Sequence, residues 1–109
     1  MVLKNETRNL ILEKINRDIK IKNIMIYEKS VNGSLGAFDR LNNCILISPD
    51  VKNMPVEEQK HILYHEVGHY YLHQKYYNKL SNEEYLAENL ALFVLGKVDK
   101  LDNSFDFLF

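Results

Sequence analysis

Two histidines and a glutamate have a spacing that can bind a metal ion and activate water. The segment His65-Glu66-Val67-Gly68-His69 has the form HExxH. In a helix, the two histidines lie on one face about 5–6 Å apart, so that both imidazoles can bind one zinc ion. Glu66 then lies beside the metal without binding it and can take a proton from the zinc-bound water. The pattern therefore predicts metal-assisted hydrolysis.

All four histidines of the chain share this spacing, because His61 and His73 extend the series by one helical turn on each side. Neither belongs to the motif, and we expect both to be structural or to contact a metal ligand rather than the metal. His73 is the candidate for contact with a ligand. The alternative for His65 and His69 is a helix that simply carries histidines, some exposed and some hydrogen-bonded in the core.

A catalytic zinc ion needs a third protein ligand and an open position for water. No histidine or cysteine follows His73, so the third ligand is expected to be a carboxylate on the next helix. The candidates are Glu83, Glu84 and Glu88. Glu84 and Glu88 share a face with Ala87, whose small side chain allows a close helix approach, whereas Glu83 is expected to point elsewhere. Spacing alone does not decide between Glu84 and Glu88.

The pattern upstream predicts an N-terminal helix over residues 1–19 and a small sheet over residues 20–50. The helix has an apolar stripe between charged residues. β-Branched residues and Gly- or Asn-containing turns indicate three strands, which we expect to be largely antiparallel. The predicted strands cover residues 20–27, 36–40 and 44–48.

Two further helices and a tail complete the predicted fold, which is α+β in a single domain over residues 1–109. The metal-binding helix is expected over 55–74, and it is apolar on nearly every side, which is typical of a buried helix. The third-ligand helix is expected over 81–96, with Ser81 opening a capping box and Gly96 ending it. The aromatic tail 97–109 is expected to dock on the core or, alternatively, to form a partner-binding patch.

Composition excludes several classes of protein. The chain has 109 residues with 14 basic and 15 acidic side chains, a net charge of -1, which gives no general attraction to nucleic acid or membranes. Its single cysteine, Cys44, excludes a disulfide framework. No apolar run approaches the roughly 18 residues that span a bilayer, and no signal-peptide stretch is present. We therefore expect a soluble, cytoplasmic protein that does not bind nucleic acid directly.

The segments HILYHEVGHYYLH and EYLAENLALFVL together resemble the ImmA/IrrE-type metallopeptidase family, which has a gluzincin-like site on a minimal zincin-like fold. Its members pair a helix of the form HELGHxxLH with one of the form ExxANxFA, and the upstream CILISPD resembles the family's preceding strand. Glu84 aligns with the Glu that is the third zinc ligand in the family. Glu88 stands where the family often has Asn, and the usual Met-Pro after the second helix is absent.

The resemblance implies a zinc endopeptidase with one Zn²⁺ per chain, held by His65, His69 and Glu84, with Glu66 as the general base. It also implies the substrate, a specific partner protein such as a helix-turn-helix repressor of a phage or mobile element. The rival hypothesis is an interaction module, with or without metal, that binds a repressor or toxin without cutting it. The retained Glu66 favours the enzyme, because a binding module needs no general base.

Overall fold

A computed structural model describes residues 4–109, which form three α-helices and one three-stranded sheet. Helix α1 covers Lys4–Lys20, and the strands are β1 (Met25–Glu28), β2 (Gly36–Asp39) and β3 (Cys44–Ile47). A 3-10 segment, Pro49–Asn53, leads into α2 (Val56–Tyr76), which is followed by α3 (Glu83–Val94) and a last 3-10 segment, Asn103–Leu108. The α+β prediction is thus confirmed, while residues 1–3 of the predicted first helix lie outside the described range.

The sheet is mixed, and the expectation that it would be largely antiparallel is wrong. The strand order is β1-β3-β2, with β1 parallel and β2 antiparallel to β3. The sequence CILI of β3 is the most apolar of the three strands, so it occupies the centre, and Ile45 is fully buried. The charged ends of β1 and β2, Glu28 and Asp39, remain on the two edges. Chain order therefore does not set strand order here.

The first strand is also shorter than predicted. The β-branched residues between 20 and 24 suggested a strand from Lys20, but α1 continues to Lys20 and the chain then turns through Lys22, which has φ of 67°. Ile24 closes this turn by donating its N–H to the carbonyl of Asp18 at 3.0 Å. Ile24 is buried in the core rather than paired in the sheet.

Helix α2 passes through the middle of the molecule, as its apolar sequence predicts. Residues 66–72 are buried without a break, and α2 packs against α3 and against strands β2 and β3. The core around it contains apolar side chains from every layer. These are Ile11 and Ile15 of α1, Ile45 of β3, Leu86 and Leu90 of α3, and Phe105 of the tail.

Helix α3 starts two residues later than predicted and has no capping box. Its N-cap is Asn82, which makes no side-chain capping bond, and α3 begins at Glu83. The helix ends at Val94, and Gly96, the predicted stop, reverses the chain with a φ of 78° while Lys97 donates its N–H to the carbonyl of Leu92 at 2.8 Å.

The tail docks on the helices, in agreement with the first of the two alternatives. Phe105 is fully buried, and the hydroxyl of Tyr76 in α2 donates to the carbonyl of Ser104 at 2.9 Å. Asn89 of α3 bonds the tail twice, since its amide donates to the carbonyl of Lys100 and its oxygen accepts from the N–H of Asp102. No helix in the described range 4–109 is long and apolar enough to cross a membrane.

Helices α2 and α3 run antiparallel and cross in close contact at Gly68. A Cβ atom added at Gly68 would lie 2.7 Å from the Cα atom of Ala87, which is closer than real Cβ contacts allow. Two small residues therefore set the distance between the helix that carries the histidines and the helix that carries the glutamates.

We expect Gly68→Ala to lower the free energy of unfolding by about 1–3 kcal/mol, because backbone atoms of α3 have to move to admit the methyl group. Urea denaturation followed by circular dichroism measures this loss. Lys60→Ala, an exposed change on the same helix, is the control and should have little effect. Equal stability of Gly68→Ala and wild type would show that the crossing is loose.

Candidate metal centre

Helix α2 presents His65 and His69 on one face, and α3 brings Glu84 opposite them. The two imidazole rings are 5.0 Å apart between centroids. Glu84 reaches both, with its Oε2 3.1 Å from Nε2 of His65 and its Oε1 2.7 Å from Nε2 of His69. One donor atom from each residue lies within 4.8 Å of the other two, so the three residues form a group that could hold a metal ion.

The chemistry of these donors fits zinc. Two imidazoles and one carboxylate are the protein ligands of one class of catalytic zinc site, and they leave a fourth position open. That position would face solvent here, because the side chain of Glu84 is 72% exposed while those of the histidines are largely covered. Partial burial acts to raise the pKa of Glu84, but the two facing histidines hold that pKa below its ordinary value, a shift that favours the ionised form of the carboxylate.

The second nitrogen of each histidine is held by a different carboxylate. Nδ1 of His69 donates to Oε2 of Glu83 at 2.5 Å, and Nδ1 of His65 donates to Oε1 of Glu88 at 3.0 Å. An ionised carboxylate only accepts hydrogen bonds, so each Nδ1 carries a proton, and a bound metal would take the place of any proton on the Nε2 atoms that face Glu84. These contacts orient the rings and raise their basicity as ligands.

Glu83 is the largest departure from the sequence-based expectation, in which it pointed elsewhere. It is 2% exposed and lies between His69 and Arg40, whose Nη1 donates to both carboxylate oxygens at 2.9 and 3.0 Å. Burial of a charge is costly unless it is paired, and Arg40 supplies the pairing. Arg40 itself was not singled out in the sequence, since it lies 43 residues from Glu83 and only the folded hairpin brings it there.

Glu88, the alternative third ligand, lies outside the His65–His69–Glu84 group. Its carboxylate accepts from Nδ1 of His65 and from Nε2 of His61, each at 3.0 Å. It thus holds the ring of His65, a candidate ligand, instead of joining the candidate metal group, and His61 is the residue that supports it. Partial burial acts to raise the pKa of Glu88, yet its bonds to the two histidines lower that pKa below the ordinary value.

His73 lies at the far end of the histidine series, away from the metal group. Its ring packs 5.4 Å from that of Phe38 and stacks at 6.3 Å on Tyr77, measured between centroids. Within residues 4–109, no hydrogen bond joins it to a candidate ligand.

Tyr70 and Tyr71, which are close to the motif in sequence, turn their hydroxyls away to the carbonyl of Asn23 and the carboxylate of Asp18. They act in packing.

Glu66 lies beside the metal group and is 8% exposed. Burial raises the pKa of Glu66 above its ordinary value, although His65 and His69 act in the opposite direction. A raised pKa makes this carboxylate a better proton acceptor once ionised. Strand β2 passes close by, because a Cβ atom added at Gly36 would lie 3.3 Å from Cγ of Glu66.

A cleft of about 860 Å³ opens over these residues, with β2 as one wall and the facing helices α2 and α3 as the other. β2 is an edge strand. Ser48 donates its N–H to the carbonyl of Leu35 at 2.9 Å, so Leu35 and Ala37 point their backbone groups toward β3. The N–H and C=O groups of Gly36 and Phe38 therefore point outward, into the cleft.

Comparison of the chain with models of protein families, with curated proteins and with solved structures finds no match in any of the three.

We expect Glu84→Ala to abolish zinc binding, since it removes a donor atom from the metal position. Glu88→Ala leaves all three donors in place and should weaken zinc binding only by about 10- to 100-fold, the usual cost of losing a residue that orients a ligand. Elemental mass spectrometry after dialysis gives the stoichiometry, and competition with a chromophoric chelator gives the affinity. Retention of zinc by Glu84→Ala with complete loss in Glu88→Ala would assign the third ligand to Glu88.

We expect Arg40→Met to lower zinc affinity by about tenfold or more, because Glu83 loses both bonds that fix it against His69. Arg40→Lys keeps the charge and should restore part of the affinity. Arg17→Met, at an exposed site on α1, is the control. The same chelator titration measures all three variants, and unchanged affinity in Arg40→Met would show that Glu83 needs no such support.

Proposed function

We propose that this chain is a zinc-dependent endopeptidase that acts on an extended segment of a partner protein in the cytoplasm. The observation that carries the proposal is the placement of Glu66 beside the His65–His69–Glu84 group, in a cleft bordered by a free strand edge. Each part matches a need of peptide hydrolysis. The group can hold the metal, Glu66 can move the proton, and the strand edge can hold the peptide.

A zinc ion bound by the three side chains would supply Lewis acidity, which lowers the pKa of water and polarises a carbonyl group. Glu66 takes the proton from the attacking water and passes it to the leaving amine nitrogen. Its burial and raised pKa suit this exchange, since the carboxylate has to accept the proton and then release it. Glu83 and Glu88 keep the histidine rings oriented during the reaction and do not touch the substrate.

The strand edge gives the substrate its form. A peptide segment that extends along β2 can bond to the outward N–H and C=O groups of Gly36 and Phe38, which adds one strand to the sheet. Gly36 matters here because its missing side chain lets the strand lie against Glu66. The bound backbone is thereby brought beside the base. Such a cleft cuts flexible or exposed segments in preference to folded ones.

As the partner we propose a helix-turn-helix repressor of a phage or mobile element, and the support for it is the resemblance of the two helix sequences to the ImmA/IrrE-type family. The net charge of -1 fits a chain that acts on a DNA-binding protein without binding DNA itself. The rival function, a binding module that does not cut its partner, shares the metal group but gives Glu66 no role.

We expect Glu66→Gln to lower the rate of peptide cleavage by about 10²- to 10⁴-fold while zinc binding is retained, because only the proton transfer is lost. The zinc-loaded protein is incubated with a proteome-derived peptide library and with a helix-turn-helix repressor from the same genome, and mass spectrometry detects new termini. The matched control is Glu57→Gln, an exposed change in the first turn of the same helix, and this variant should cut as the wild type does.

Two outcomes would contradict the proposal. Cleavage that persists in Glu66→Gln would remove the assigned base. A zinc-loaded wild type that cuts neither the library nor the repressor, yet binds the repressor, would establish the binding module instead.

A further inference from the structure

The two ends of the cleft carry opposite charges that are free of partners. Glu58 in the first turn of α2 lines one end, and Lys79 between α2 and α3 lines the other. Both side chains belong to exposed residues. Among residues 4–109, neither takes part in an ion pair. Their charges are thus available to a ligand.

The helix geometry shows that these charges lie on opposite sides of the metal group. Glu58 precedes His65 by seven residues, which is about 10 Å along the helix axis. Because α3 runs antiparallel to α2, the segment that leads into α3 lies at the His69 end, and Lys79 comes four residues before Glu83. The metal group therefore sits between a negative and a positive end.

Neighbouring charges do not cancel this polarity. Glu88 adds a half-exposed carboxylate on the side of Glu58, and His61 beside it offsets that charge only when protonated. Arg40 lies toward the end of Lys79, but its charge is already used by Glu83. Of the residues that the structure describes, Lys79 is therefore the free cation at its end, and Glu58 is the free anion at the other.

The direction of a bound peptide follows from the direction of β2. The strand begins at Gly36, which lies against Ile62 and Glu66, and it runs toward Arg40, which is bonded to Glu83 near Lys79. Antiparallel pairing is the more stable and more common arrangement. A peptide paired in this way has its N-terminal part near Lys79 and its C-terminal part near Glu58.

We propose that the cleft selects peptide segments by charge. The selected segment has an acidic side chain on the N-terminal side of the peptide bond that lies at the metal group, and a basic side chain on the C-terminal side of that bond. The basic residue would lie about three positions beyond that bond, because 10 Å corresponds to three residues of an extended chain. As a statement about substrates, this selectivity rests on the proposed function. As a statement about peptide binding, it can be tested without cleavage.

The test uses zinc-loaded Glu66→Gln protein and two blocked ten-residue peptides of equal composition. One carries two Asp residues toward its N-terminus and two Lys residues toward its C-terminus around an apolar centre, and the other has the two pairs exchanged. Fluorescence anisotropy at low salt measures both affinities. We expect the first peptide to bind about tenfold more tightly, the size that several weak exposed charge interactions supply together, and the ratio to fall as salt is added.

Charge reversals in the cleft locate the effect. Glu58→Lys and Lys79→Glu, each added to the Glu66→Gln background, should each reduce the ratio of the affinities for the first and the second peptide. The two changes together should invert that ratio. Glu57→Lys and Lys97→Glu make the same charge changes at exposed sites outside the cleft and should leave the ratio unchanged.

Equal binding of the two peptides, or a ratio that the cleft reversals leave intact, would overturn the charge selection. Cleavage by the wild type is measured separately on the same peptides. Cleavage without a charge preference would retain the enzyme and reject the selectivity. A preference without cleavage would retain the selectivity and reject the proposed reaction.

Discussion

The close crossing of α2 and α3 at Gly68 is the constraint on which the site depends. Glutamate side chains are short relative to a normal helix separation, so the helices have to approach closely if carboxylates on one are to meet imidazoles on the other. The absence of a side chain at Gly68, against Ala87, permits that approach. With the helices antiparallel, one turn of separation in α2 matches one turn in α3, and His65 and His69 meet Glu88 and Glu84 in turn.

The same crossing also creates an electrostatic problem, which Arg40 resolves. Glu83 is drawn into the interior between the helices, where a lone carboxylate would be strongly unfavourable. The guanidinium of Arg40 binds both of its oxygens from the end of β2, while His69 binds it from α2. The result is a chain of contacts from the sheet to a candidate metal ligand. The orientation of His69 thereby depends on the position of the strand that borders the cleft.

Local patterns in the sequence predict the helices and the two histidines of the candidate metal group, but they leave Glu84 and Glu88 as alternatives for the third residue. They fail where contacts between distant segments decide. HExxH fixes two histidines on one helix face, and the next helix could bring Glu84 to them. Strand order cannot be predicted from such local patterns, because β3 occupies the centre of the sheet owing to its apolar character and not to its place in the chain. Glu83 was misjudged for a related reason. Adjacent side chains on a helix point about 100° apart, so Glu83 and Glu84 are not expected to face the same residue. The imidazole of His69, however, has two nitrogens, and Glu83 contacts Nδ1 while Glu84 contacts Nε2.

In the proposed function, the short edge strand leaves substrate choice to charge. A long, flat, open strand would pair with other chains and aggregate, and β2 avoids this with four residues that end in Asp39 and continue into Arg40. Only Gly36 and Phe38 turn their backbone groups outward, so backbone pairing can hold about two residues of a peptide and recognises no side chain. Selectivity then has to come from groups beyond the strand. Glu58 and Lys79 lie at those positions, on either side of the residues that would carry out the chemistry.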